Sequence, residues 1–323
     1  MSCLRNVGSL EGHKDWVTCI ACSSETPNQI ISGSRDKSLI VWDLEKTDDV
    51  EGLVGAPHRR LCGHENFVTD IDISGDGQYV FSGSWDHSAR LWEISTGKTA
   101  SRFQGHTSRV LSVGFSPDNR QLVTASQDRT IRHWNTVGTC VNVLAGSTSH
   151  SDWVNCVKIS QEKIEGTEEF RHYIISGGAD RKVQVYDVQE GAVAHTLTGH
   201  EGVVNCLDVA PDSSLCASGS KDGKVILWGL KEGVALDTID AGDEVLSITF
   251  SPTRYWLCAG TTKGIKIWDL TSKELVSEDI VEVGGEKPRP ARTLAVRWSA
   301  DGNTLYTGHD DSRIRAWAVQ ETD

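Results

Sequence analysis

An aspartate stands six residues ahead of an aromatic again and again along this chain. The segments are SGSRDKSLIVW, SGSWDHSARLW, TASQDRTIRHW, SGGADRKVQVY, SGSKDGKVILW and TGHDDSRIRAW. Their aspartates are Asp36, Asp86, Asp128, Asp180, Asp222 and Asp311, and their aromatics Trp42, Trp92, Trp134, Tyr186, Trp228 and Trp317. A seventh segment, CAGTTKGIKIW, ends at Trp268 and has Thr262 in place of the acid. Successive aromatics lie 40 to 52 residues apart. Upstream of most aspartates is a Gly-His pair (His13, His64, His106, His200), with His150 after Ser149 in the fourth unit. Four residues before each aspartate is a hydroxyl: Ser32, Ser82, Thr124, Ser176, Ser218 and Thr307. The 11 tryptophans against a single methionine fit a repeated tryptophan position.

Self-similarity at a period of about 40–45 residues, from Gly-His to Trp-Asp, is the signature of the WD40 repeat, in which four strands make one propeller blade. The units read as short alternating strands such as DIDIS, LSVGFS and LSITFS, separated by turn signals such as SGDGQ, SPDNR and SADGN. The expected fold is all-β, a seven-bladed β-propeller over residues 1–323 as one domain. Insertions fall at about 46–57, 161–171 and 282–292, the last a protruding loop of Gly, Pro and charge. Residues 4–10 precede the first Gly-His as strand-like segments precede later ones. They are expected to pair with residues 313–319 and close the last blade, which removes long open sheet edges.

In this repeat the histidine lies in the loop entering the blade, the hydroxyl on the second strand, the aspartate in the following turn and the tryptophan on the third strand. An indole N–H only donates, a carboxylate only accepts, and hydroxyl and imidazole do both. The sets His13, Ser32, Asp36, Trp42; His64, Ser82, Asp86, Trp92; His106, Thr124, Asp128, Trp134; and His200, Ser218, Asp222, Trp228 can each satisfy their own buried polar groups. A Ser/His/Asp set repeated around a ring is a fold brace rather than a catalytic triad. Cations border the turn that carries each aspartate: Arg35 and Lys37, then Arg129, Arg181, Lys182, Lys221, Lys224, Lys263 and Arg313, with Asp310 the acidic exception. They are expected to share one face.

Several stretches go beyond the generic repeat: GHKDWVT, SRDKSLIVW, SGDGQYVFSGSWD, FSPDNRQLVTASQDRTIRHWNTVGTC, HSDWVNCVKIS, SLCASGSKDGKVILW and SPTRYWLCAG. With these, the chain resembles, over essentially its whole length, the receptors for activated C kinase, Gβ-like WD40 scaffolds of the eukaryotic small ribosomal subunit. The resemblance implies a non-catalytic adaptor on the head of the 40S subunit, touching rRNA and neighbouring ribosomal proteins and docking protein kinase C. It carries the family's ribosome-contacting Arg-Asp-Lys onto Arg35, Asp36 and Lys37, and a second basic position onto Arg59, with Arg60 beside it; Lys14 joins that patch. The family's phosphorylated tyrosine before the turn of the sixth blade is replaced here by Asp237.

A net charge of −13 argues against binding nucleic acid or anionic membrane over the whole surface, while leaving room for a local basic patch. The nine cysteines are scattered, without paired zinc spacing, and read as thiols of a reducing compartment. Cys19, Cys156 and Cys206 share one repeat position and read as core. No apolar stretch approaches the ~18 residues of a membrane span, and no phosphate loop or nucleophile elbow is present. The expectation is therefore a cytoplasmic, ribosome-associated protein with no cofactor, no metal, no membrane insertion and no small-molecule substrate. The alternative is a ribosome-independent signalling adaptor or a Gβ-like subunit. A Gβ subunit needs an N-terminal coiled-coil helix, where this chain has a strand-like segment. A ubiquitin-ligase receptor would carry Trp-Asp-x-Arg, where this chain reads WDLE, WEIS and WDLT.

Overall fold

The computed structural model describes residues 4–47, 52–164, 170–283 and 289–320. Seven four-stranded antiparallel sheets account for nearly all of it, and no α-helix occurs among the described residues. Blade 1 runs Val17–Cys22, Gln29–Ser34, Ser38–Thr47 and Gly52–Cys62. Blades 2 to 6 repeat that order and begin at Val68, Val110, Val154, Val204 and Val245. The first strand of each blade touches the first strand of the next, and that of blade 7 touches that of blade 1, so the ring is closed.

Closure uses both ends of the chain. Blade 7 comprises Thr293–Trp298, Thr304–His309 and Arg313–Val319, and its outer strand is Leu4–Glu11. The register runs from Leu4 opposite Val319 to Glu11 opposite Arg313. The first insertion supports this join. It lengthens the outer hairpin of blade 1, where Leu44 and Leu53 pack with Leu10 of the closing strand. Gly8 and Gly55 permit the approach: a Cβ on Gly8 would lie 2.1 Å from the Leu53 carbonyl oxygen, and one on Gly55 2.4 Å from Leu10 Cδ2. The second insertion likewise lengthens a hairpin, Val154–Lys163 with Phe170–Gly178. The third begins and ends in a two-residue ladder, Glu282–Val283 with Arg289–Pro290, and its centre lies outside the described residues.

The core sits between blades. Each apolar cluster draws on two neighbours; Ile31 and Leu39 of blade 1, for example, pack with Val68, Ile71 and Trp92 of blade 2. The glycine before the last residue of the second strand makes this possible. A Cβ on Gly33 would meet Cys19 Sγ at 2.6 Å and Val68 Cγ1 of the next blade at 2.8 Å. Gly177 meets Cys156 and Val204 in the same way, and Gly219 meets Cys206 and Val245. The recurring thiols are therefore packing groups, and burial pushes all three well above the ordinary thiol range.

Candidate functional site on the tetrad face

The four tetrads close in one pattern. In blade 1, Trp42 Nε1 donates to Ser32 Oγ (2.8 Å), Ser32 Oγ meets His13 Nε2 (2.7 Å), and His13 Nδ1 meets Asp36 Oδ2 (2.8 Å). With a neutral imidazole protonated at Nδ1, every donor in this chain finds an acceptor. Blades 2, 3 and 5 repeat it through His64, His106 and His200. Asp36 also accepts from the Lys14 N–H and from Ser38, which ties the entry loop to the turn. Burial works to raise its carboxyl, but the hydrogen bonds from His13 and Ser38 and the His13 ring hold it well below the usual carboxylate range. Asp86 and Asp128 are held down in the same manner.

Blades 4, 6 and 7 depart from the pattern. In blade 4, His150 joins Ser176 and Asp180, but Tyr186 has no indole N–H to contribute. In blade 6, Cys258 occupies the hydroxyl position and Thr262 the acid position. Blade 7 has no Gly-His. His309, two residues after Thr307 on the same strand, supplies the imidazole: Thr307 Oγ1 lies 2.8 Å from His309 Nε2 and accepts from Trp317 Nε1 at 2.8 Å. Asp311 pairs instead with Arg315, 2.6 Å away. The only sequence sign of this role is a histidine in TGHDD where four other repeats have serine, one has Gly178 and one has Thr261.

The cations lie around the tetrads in different states. Lys37 occupies the turn in a left-handed conformation (φ 71°), as do Arg129 (70°) and Arg181 (67°). That backbone aims these side chains away from the sheet, and all three are exposed. Lys14 is exposed one residue after His13. Among the described residues, Lys14, Lys37, Arg129, Arg181, Lys182 and Lys221 carry no ion pair, whereas Lys224 pairs with Glu201, Lys263 with Asp243 and Arg313 with Glu11. Lys221 of blade 5 apart, the unpaired cations beside the tetrads therefore lie over blades 1 to 4.

Arg35, Arg59 and Arg60 are otherwise engaged. The Arg35 guanidinium stacks 3.7 Å from the centre of a Trp16 ring and 5.5 Å from Phe67. Arg60 donates to Asp36 (3.2 Å), Ser38 (2.8 Å) and the Gly12 carbonyl (2.6 Å), bracing the outer strand against the turn. Arg59, its neighbour on an extended strand, points to the opposite side and donates to the Ser95 carbonyl of blade 2 at 2.6 Å. The face thus gathers Lys14, Arg35, Lys37 and Arg60 around Asp36 and leaves Arg59 outside.

Comparison with known proteins agrees with this architecture. The WD40 family, described as "WD domain, G-beta repeat", matches seven segments: residues 4–43, 55–93, 97–135, 138–187, 191–229, 234–269 and 291–318. The chain is 46% identical over 318 residues to Cross-pathway control WD-repeat protein 2 of Flammulina velutipes, covering 98% of each. It is 46% identical over 314 residues to MST50-interacting protein 11 of Pyricularia oryzae, covering 97% of this chain and 96% of that one. Small ribosomal subunit protein RACK1 of Neurospora crassa is 47% identical over 314 residues, with the same coverage. Seven closed blades, one blade completed by the N-terminal strand, and these end-to-end identities show that the chain belongs to the RACK1 group of the WD40-repeat family.

Proposed function

We propose that this protein is a non-catalytic scaffold of the small ribosomal subunit, held on the subunit head through rRNA and neighbouring ribosomal proteins, and that it presents the rest of its surface to signalling proteins, protein kinase C among them. One observation carries the reading: an acidic chain, nearly half identical to a small-subunit protein, leaves Lys14, Lys37, Arg129, Arg181 and Lys182 exposed and without ion pairs beside the tetrads of blades 1 to 4. Exposed lysine and arginine release counterions on meeting phosphate, which gives affinity that falls steeply with salt. RNA helices are read mainly by shape and backbone contact, which suits a few fixed cations. The acidic remainder of the surface repels RNA and makes docking one-sided.

Within the patch the roles differ. Lys14 and Lys37 are the phosphate contacts. Arg60 and Arg35 set the shape of the turn through Asp36 and Trp16, and Arg59 acts at the blade 1–blade 2 join. The protein works in the cytoplasm, on ribosomes. Sucrose-gradient fractionation of lysate tests the reading: the protein is expected in small-subunit fractions at low salt and released as salt rises. Migration only with free protein at low salt favours a ribosome-independent adaptor; protein binding as such is what the name MST50-interacting protein 11 states of that relative. Capture of activated protein kinase C by the purified chain tests the docking role separately.

A further inference from the structure

In every blade, the third-strand residue two before the aromatic stands directly opposite one residue of the outer strand. Residues so placed share one side of the sheet, their Cβ atoms about 5 Å apart. Blades 1, 6 and 7 balance a cation at these places. Arg60 reaches Asp36 at 3.2 Å, Lys266 pairs at 2.9 Å with Glu278 directly opposite, and Arg315 pairs with Asp311 at 2.6 Å. Blade 3 has the single cation Arg132, opposite Val143, and blades 4 and 5 have no charge there. Blade 2 has two cations and no acid: Arg90 stands opposite Arg102. Like charges so placed destabilise a sheet. Among the described residues neither arginine carries an ion pair, and the exposed Arg102 guanidinium meets no acceptor. Arg90 is fixed against the loop entering the blade. A Cβ on Gly63 would lie 3.0 Å from its Nη1, which donates to Thr99 Oγ1 at 3.4 Å, and its Nε is buried with no partner. Burial and the Arg102 charge push this guanidinium below its ordinary range.

We propose that Arg90, Arg102 and the Thr99 hydroxyl form a binding site for one phosphate group, presented by a phosphorylated side chain of a partner protein. The site lies on blade 2, apart from Lys14 and Lys37 of blade 1. A side-chain phosphate carries about −1.5 to −2 charge and three strong acceptor oxygens, enough to engage two guanidinium groups. A carboxylate brings one charge and leaves one cation uncompensated. Arginine grips phosphate through paired N–H groups, and arginine clusters are a recurrent device of phosphopeptide recognition. Thr99 Oγ1 accepts from Arg90 and keeps its own proton to donate. The surroundings select a phosphorylated side chain over RNA. Glu65 and Asp86 stand near Arg90 toward the tetrad face, and Glu93, opposite Lys98, lies at the other end of the same strand pair. A nucleic-acid groove needs cations along the strand's path. An RNA strand laid across the arginines would bring its adjoining phosphates against these carboxylates, whereas a phosphorylated side chain brings a single phosphate.

The test is fluorescence anisotropy of a labelled peptide, one phosphoserine flanked by glycines, titrated with the full-length protein. The expected result is saturable binding that weakens at least ten-fold when serine or glutamate replaces the phosphoserine. Arg102→Glu, a change at an exposed position, is expected to weaken binding at least ten-fold and to raise the melting temperature, because it recreates opposite Arg90 the ion pair of blade 6. Arg90→Gln is expected to weaken binding to the same degree. Lys14→Glu/Lys37→Glu leaves binding unchanged. Equal binding of phosphorylated and unphosphorylated peptides, or full binding by Arg102→Glu, would overturn the proposal. So would displacement by a nonamer of uridine as effective as that by unlabelled phosphopeptide, which assigns the pair to RNA instead.

Discussion

At the scale of single residues, stability rests on polar groups buried in complementary sets. Removing the Ser32 hydroxyl leaves the Trp42 indole N–H and His13 Nε2 without partners, while His13 Nδ1 keeps Asp36. Ser32→Ala is expected to cost roughly 2–5 kcal/mol, since each buried orphan costs about 1–3 kcal/mol; chemical denaturation measures it. His309 gives the molecule a pH dependence of its own. Burial and the adjacent Arg315 push this imidazole well below its ordinary range. Unfolded, it binds a proton below about pH 6.5; folded, it stays neutral to much lower pH. The unfolded state therefore holds more protons as pH falls, and stability declines. The depressed tetrad aspartates add a second decline below about pH 4, where unfolded carboxylates protonate first. Melting curves across pH are expected to fall from pH 6.5 downward, and His309→Gln to flatten that first slope. The tetrads are legible in sequence because their residue types, spacing and donor–acceptor chemistry recur. His309 is not, because it reaches its hydroxyl from the same strand, at a spacing seen nowhere else in the chain.

At the scale of strands and blades, the fold is a set of close approaches between neighbours. Gly219→Ala places a methyl 2.5 Å from Val245 Cγ1 and 2.7 Å from Cys206 Sγ. Overpacking of this kind costs typically about 1–3 kcal/mol, and a thermal melt reads it directly. Blade 3 has Ala125 at that position and accommodates it. Gly8→Ala is expected to loosen the closing strand, because the obstacle is the Leu53 backbone rather than a movable side chain. Faster hydrogen exchange confined to Leu4–Glu11 and Arg313–Val319 is the predicted signature, and uniform protection would contradict it. The closing strand is legible because Leu4–Glu11 reads like the outer strand of other units. The first insertion reads only as extra length. Its packing on Leu10 depends on a contact between distant parts of the chain, which local pattern does not encode. The opposite directions of Arg59 and Arg60 follow from two-residue alternation once the strand is known.

For the whole molecule, charge is sorted by blade. Carboxylates neutralise Lys224, Lys263 and Arg313 of blades 5 to 7, whereas Lys221 and the turn cations of blades 1 to 4 carry no ion pair among the described residues. Sequence shows the cations but not this sorting, because Glu201, Asp243 and Glu11 lie far in sequence from the turns that Lys224, Lys263 and Arg313 border. The aromatic stack over blades 1 to 3 is hidden for the same reason: Trp16, Arg35, Phe67, Trp85 and Arg109 meet only when three blades stand side by side. The most direct measurement is sucrose-gradient sedimentation of the Lys14→Glu/Lys37→Glu variant beside the unaltered protein. Both substitutions are on exposed side chains, and neither touches a tetrad hydrogen bond made by a side chain. The account predicts an unchanged melting temperature and loss of the variant from small-subunit fractions at a salt concentration where the unaltered protein stays bound. A variant that remains with the small subunit at that concentration contradicts it.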